Sequence, residues 1–221
     1  MELFEVMRTT FAAREFTGEP VPDEVLYRIL DNARFAPSGG NRQGWKVIVV
    51  RERATRDALV PLITPVVRRY RAEVAAGESP YNTINASQVT DEDVARTSEP
   101  TAIVRNLVDA PVLLFVFVDL SLVASFDRDV DHVGVISGAS IYPFVWNILL
   151  AARHEGYGGT PTTFVGANEA ELKSLLDVPD NFAFATMIPM GKPVKQLTKL
   201  RRKSPQSFAV LERFEGKPLE P

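Results

Sequence analysis

Two short stretches of this chain concentrate residues able to bind a ligand. Residues 36 to 45 read A-P-S-G-G-N-R-Q-G-W, with three glycines and the side-chain donors Ser38, Asn41, Arg42 and Gln43 between two apolar segments. A loop that only turns needs one or two such residues, so this one is composed to hold something. The second stretch is G-Y-G-G-T-P at 156 to 161. It is not the dinucleotide fingerprint G-x-G-x-x-G, because Pro161 stands at the third glycine and a helical pattern, not a strand, precedes it. Gly156 reads as a helix C-cap in positive φ, whereas Gly158 and Gly159 exceed what a cap needs and would let backbone N–H groups approach a flat ligand.

A third feature is basic. Lys192, Lys195, Lys199, Arg201, Arg202 and Lys203 follow one another with no acidic residue before Glu212. A solvated face, a nucleic-acid patch and a dedicated anion site are the three readings. The net charge of −3 and the absence of interleaved aromatics or a recognised module disfavour nucleic acid. A phosphate would use one or two of these cations, arginine first because its fork matches phosphate oxygens, and Arg14 could join from the other end of the chain.

Side-chain catalysts are scarce. The chain has no cysteine, which removes thiolate chemistry, disulfides and cysteine-ligated metal centres. Neither a Walker A run nor a G-x-S-x-G elbow occurs. Asp127, Asp129, Asp131 and His132 share one segment whose composition reads first as a solvated loop and second as a cation site. A protein with binding loops, scattered arginines and little acid–base equipment suits a cofactor that carries the chemistry itself.

The elements that must position these residues follow from periodicity. The 221 residues, 45% hydrophobic and 24% charged, fit one globular domain spanning 1–221. Leu3, Val6 and Met7 predict a short first helix. Pro22-Asp23-Glu24 opens a second, whose apolar face is Val25, Leu26, Ile29, Leu30 and Ala33. Strands are predicted at Trp45 to Val50, at Pro111 to Val118 and at Phe182 to Pro189, from β-branched and continuous apolar runs. Residues 53 to 76 have a helical pattern interrupted by Pro61 and Pro65, which predicts a kink or two helices. Residues 77 to 100 are polar without a sustained period and read as a lid or variable insertion. A core helix is expected from Ser137 to His154 with a kink near Pro143, then a short T-T-F-V strand at 162 to 165, then a helix opened by an Asn168–Glu171 capping box. The longest apolar run is far below the ~20 residues that cross a bilayer, and the first residues lack a signal-peptide pattern. A soluble, cytoplasmic protein with no membrane partner is the expectation.

A-R-E-F at 13 to 16, V-P-D-E-V-L at 21 to 26, A-P-S-G-G-N-R-Q-G-W at 36 to 45, the strand at 111 to 118, N-I-L-L-A-A at 147 to 152 and G-Y-G-G-T at 156 to 160 are ordered along the chain. Together they resemble the nitroreductase family of FMN-dependent NAD(P)H oxidoreductases. The resemblance implies an α+β fold with a central, mainly antiparallel sheet flanked by helices, in an intertwined homodimer with two FMN sites at its interface. Arg14 matches the basic residue at the flavin phosphate and ribityl chain. Ser38, Gly39, Asn41 and Gln43 match a loop that reaches the partner's flavin, Gly158, Gly159 and Thr160 the loop beside the isoalloxazine, and Arg201 or Arg202 a phosphate clamp. Where the family shows a basic pair and then serine, this chain has Thr10, Phe11 and Ala12, and Gly44 replaces the commoner proline before Trp45. The implied reaction is ping-pong transfer from NADH or NADPH, through flavin N5, to a nitroaromatic, quinone or other conjugated electrophile. Two other readings stay open: a flavin-binding protein without turnover, and specialised flavin chemistry such as reductive dehalogenation.

Overall fold

Seven consecutive apolar residues are stable only where both sides of the strand are covered. The computed structural model, which describes residues 1–221, buries all of Val112 to Val118 in this way. Strands β1 (Trp45–Val50), β2 (Val112–Asp119), β3 (Gly158–Gly159) and β4 (Phe182–Gly191) form one sheet in the order β1-β2-β4-β3, every pair antiparallel. Side chains alternate across β2: Val112, Leu114, Val116 and Val118 enter one core and Leu113, Phe115 and Phe117 the other. The first core is closed by α2 (Asp23–Ala33) and α6 (Tyr142–His154). The second is closed by α3 (Arg53–Ala75), α5 (Thr101–Val108) and α7 (Glu169–Leu175). Helix α1 (Leu3–Thr9) leads into a segment that bridges Ala12 to Gly159 beside the sheet edge. The architecture is α+β, a central antiparallel sheet with helices on both faces.

The three predicted strands form where the sequence places them. Several other expectations need correction. Helix α3 is one continuous element despite Pro61 and Pro65. Both prolines are exposed and lie four residues apart, hence on one face, so the carbonyls they leave without donors, at Asp57 and Pro61, sit on the wet side. The buried face, carrying Leu59, Ile63, Val66 and Val67, runs on uninterrupted. Pro143 does not kink a longer helix; it stands in the first turn of α6, where its missing N–H costs nothing, and 136 to 140 form a separate 3₁₀ turn. The stretch 162 to 165 pairs with β4 only at Thr162–Met187, because Phe164 turns away to pack edge-on against Tyr70 with ring centroids 5.4 Å apart.

The Asn168–Glu171 capping box does not form. The Asn168 side-chain amide donates to the Leu62 carbonyl at 2.8 Å, and the Glu169 carboxylate accepts from the Phe184 N–H at 2.8 Å, so a tertiary tie between α3 and β4 displaces the local cap. A capping box does occur where none was read. Thr90 and Asp93 exchange hydrogen bonds at the start of α4 (Asp91–Arg96), inside the polar stretch 77 to 100. That stretch is fastened to α3: Arg68 donates to the Thr97 and Ala95 carbonyls, and buried Glu73 accepts from the Tyr81 N–H at 2.8 Å and from Arg69 at 3.1 Å.

Candidate functional site

Gly156 ends α6 with φ at 85°, as a C-cap requires. Gly158 and Gly159 then pair with Gly191 and Met190, and Ala13 N–H donates to the Gly159 carbonyl at 3.2 Å. A Cβ on Gly159 would stand 2.7 Å from the Pro189 carbonyl oxygen, and one on Gly158 would stand 3.1 Å from both Ala13 Cβ and Pro193 Cγ. These glycines therefore let three backbone segments meet, a requirement of the fold itself. The consequence for a site is positional: they set Thr160 and Arg14 side by side.

Arg14 and Thr160 line one cleft of about 460 Å³, a size suited to a small ligand. The rest of the lining comes from α3 and α5, with Val67, Tyr70 and Arg71 from the first and Ile103, Asn106 and Leu107 from the second, and from the strip 161 to 164. Two arginines and no carboxylate line this cleft. The Arg14 guanidinium is exposed and makes only a long contact, 3.4 Å, to the Ala12 carbonyl. Guanidinium donors without a carboxylate partner beside an apolar, aromatic wall favour a flat anionic ligand.

The loop at 36 to 45 is ordered by bonds within it and by one to Ser140. Ser38 Oγ accepts from the Gln43 N–H at 2.9 Å, the Gln43 side chain donates to Asn41 Oδ1 at 3.1 Å, and Gly39 N–H donates to Ser140 Oγ at 3.0 Å. Asn41 and Gln43 hold φ at 53° and 51°, a conformation that costs a side-chain-bearing residue energy and recurs where a chain presents groups to a ligand. The loop lies at the Trp45–Val118 end of the sheet, whereas Gly159 lies beside Met190 and Val112 at the other. At about 3.3 Å per residue the two ends are roughly 20 Å apart. One chain thus does not bring Ser38, Gly39, Asn41 and Gln43 to the Arg14 cleft. Arg201 and Arg202 are exposed in an irregular segment and do not line it either, Arg202 donating to the Arg201 carbonyl at 2.7 Å.

Arg71 escaped the sequence reading. It sits in an arginine-rich helix with no local motif, and only the packing of α3 beside the 160 to 164 strip reveals its place. Asp127, by contrast, has a structural role: its carboxylate accepts from the Ile136 N–H at 2.9 Å and from the Val135 N–H, closing the 127 to 136 loop. The Ile136 bond leads in lowering its pKa below the ordinary aspartate range. A depressed folded-state pKa contributes stability that is present above the ordinary value, about 3.9, and is lost as pH falls through the lower one. The Val135 and Ile136 amide resonances are expected to shift together in that acid window and to lose the transition in Asp127→Asn. Resonances that titrate unchanged in the variant would sink this assignment.

A profile of the Nitroreductase family matches residues 7–192. The chain belongs to the nitroreductase family. It is 25% identical over 218 residues to iodotyrosine deiodinase of Nematostella vectensis, covering 96% of this chain and 75% of that protein. It is also 25% identical over 207 residues to nitrobenzene nitroreductase of Ectopseudomonas oleovorans, covering 85% of each chain. A crystal structure of a nitroreductase with bound FMN from Desulfitobacterium hafniense superposes with a TM-score of 0.63 at 20% identity, over 92% of this chain and 95% of that one. No helix of this family member is long and apolar enough to cross a membrane.

Proposed function

We propose that this chain is an FMN-dependent oxidoreductase that takes electrons from NADH or NADPH and passes them to a nitroaromatic, quinone or similar conjugated electrophile. The observation that carries this reading is the carboxylate-free cleft in which Arg14, without a counter-ion, shares the lining with Thr160. The Arg14 guanidinium suits the phosphate of FMN, Thr160 suits its pyrimidine oxygens, and the apolar wall suits the ring. Bound there, FMN supplies the two-electron relay between nicotinamide and acceptor. The protein binds and excludes water. Arg14 holds the phosphate and ribityl end, Thr160 lies at the ring, and Tyr70, Phe164 and Leu107 keep the cleft dry on one side. A nitroarene reduced in this way takes two electrons and two protons, a hydride from NAD(P)H and one proton from solvent, and leaves as a nitrosoarene and water.

Ser38, Gly39, Asn41 and Gln43 complete the site from a second copy of the chain, which accounts for a strained, donor-rich loop some 20 Å from its own cleft. A homodimer with two shared sites follows, with Arg201 or Arg202 clamping the phosphate, residues 77 to 100 shaping access, and a cytoplasmic location. A reductive dehalogenase is the second reading, favoured by the similarity to iodotyrosine deiodinase over 96% of the chain. There an aryl iodide would take two electrons and one proton and leave as arene and iodide.

The purified protein is expected to absorb near about 450 nm, to bleach with NADPH under nitrogen, and to recover its colour when a nitroaromatic is added. Arg14→Ala should weaken FMN binding by about tenfold, the worth of one charge-assisted hydrogen bond, with the far-ultraviolet circular dichroism unchanged. A protein that stays colourless after soaking in FMN overturns the proposal. Bands that persist with NADPH reduce it to a flavin binder or an enzyme with another donor, and iodide release from an iodophenol selects the second reading.

A further inference from the structure

Helix α3 carries five arginines, and their partners differ in kind. Arg53 pairs with Asp57 and Asp109, Arg68 with Glu99, and Arg69 with Glu73 and Asp91. Arg56 is buried and donates to backbone carbonyls. Arg71 is half-buried, makes one hydrogen bond, from Nη1 to the Ser98 carbonyl at 3.0 Å, and has no carboxylate in reach. It is also the one arginine of α3 that lines the cleft. Arg68 and Arg69 are half-buried as well, and each has a carboxylate. A helix that gives its other half-buried surface arginines counter-ions and leaves Arg71 without one has a place for an anion there.

We infer that Arg71 receives the carboxylate of the acceptor, so that the preferred substrates of this site are aromatic carboxylates. The inference rests on the proposal that reduction takes place in this cleft. There Arg14 is committed to the cofactor, which leaves Arg71, contributed by a different element and tied to the 77 to 100 stretch through Ser98, free for the second substrate. Tyr70 precedes it on α3 and packs edge-on against Phe164, giving an aromatic ring a wall next to the guanidinium. The same lining sets a limit. With no carboxylate in it, the cleft has no counter-ion for an ammonium group, so an aromatic acid without an amine is preferred over an aromatic amino acid.

The test uses the protein as purified with its flavin, oxidised, and calorimetric titration with benzoate, benzamide and L-phenylalanine, none of which is reduced. Benzoate should bind about tenfold more tightly than either of the others, the difference one hydrogen bond to a charged group makes. Arg71→Gln keeps a donor for the Ser98 carbonyl and should abolish the benzoate preference without changing the flavin content of the protein. In turnover it should raise KM for 4-nitrobenzoate while leaving nitrobenzene and kcat unaltered, and Arg71→Lys should restore part of the difference. Equal binding of benzoate and benzamide by the native protein overturns the inference. So does loss of flavin in Arg71→Gln with the benzoate preference intact, which would place Arg71 at the cofactor. Should the native protein hold no FMN, the proposed function fails, and benzoate titration of the colourless protein still decides the role of Arg71.

Discussion

Arg56→Met is expected to lower the unfolding free energy by about 4 kcal/mol, the largest loss from any one polar side chain of this protein. The guanidinium is almost wholly buried and donates to the carbonyls of Val108 and Pro111 at 3.1 Å, of Val50 at 3.3 Å, and of Ala110. It therefore ties the end of β1 to the junction of α5 and β2, where three chain segments meet with their carbonyls pointing inward. Methionine fills the volume and leaves all four acceptors without a donor, at about 1 kcal/mol each. Burial pulls the Arg56 pKa down from the ordinary guanidinium value, with nearby Asp109 acting the other way, and the group remains charged. Arg56→Lys should recover less than half of the loss, because an ammonium cannot span four acceptors. Urea denaturation midpoints, compared at unchanged slope, read out the difference. A loss below about 1 kcal/mol would mean that the carbonyls find water, and that Arg56 is dispensable.

The second large effect is expected at Gly159. Gly159→Val should cost about 3 kcal/mol and strip the protein of flavin more thoroughly than Arg14→Ala. Its Cβ would sit 2.7 Å from the Pro189 carbonyl oxygen and 3.0 Å from Ile188 Cγ2, both on a fully buried part of β4 that cannot retreat. Strand β3 must move instead, carrying away Thr160 and the Ala12–Ala13 segment bonded to it, and with that segment Arg14. Gly156→Ala provides the contrast. Open space surrounds that position, so only the left-handed φ is penalised, at about 1 to 2 kcal/mol, and the cleft is untouched. If the alanine at 156 proves the more damaging, the close-approach account of Gly159 is wrong.

Much of the fold was legible because its determinants are local. Trp45–Val50, Val112–Asp119 and Phe182–Gly191 announce themselves as β-branched or uniformly apolar runs, and Gly156 as a stop. What the sequence could not show is which face of an element meets water. Pro61 and Pro65 signal a break in any pattern, and only their shared exposure makes a straight helix α3 cheap. Asn168 satisfies a capping rule on paper, yet a carbonyl on another helix claims its side chain. The T-x-x-D cap at Thr90 was readable and was masked by the polarity around it. The candidate site divides in the same way. Arg14, Thr160 and the loop from Ser38 to Gln43 sit in stretches of recognisable composition, while Arg71 acquires its meaning from the packing of α3, α5 and the 160 to 164 strip.

The central position of β2 bears on how this chain is made. Its neighbours β1 and β4 lie about 70 residues away on either side, and no hairpin joins any of the three long strands, so their pairing is wholly non-local and refolding should be slow for a domain of this size. On the ribosome, β1 and β2 can meet early, but the second edge of β2 stays open until β4 has emerged. Until then its backbone N–H and C=O groups and one half of each core are bare, the condition in which chains pair with one another. Truncation anywhere before Gly191 should accordingly yield aggregate rather than a smaller folded unit.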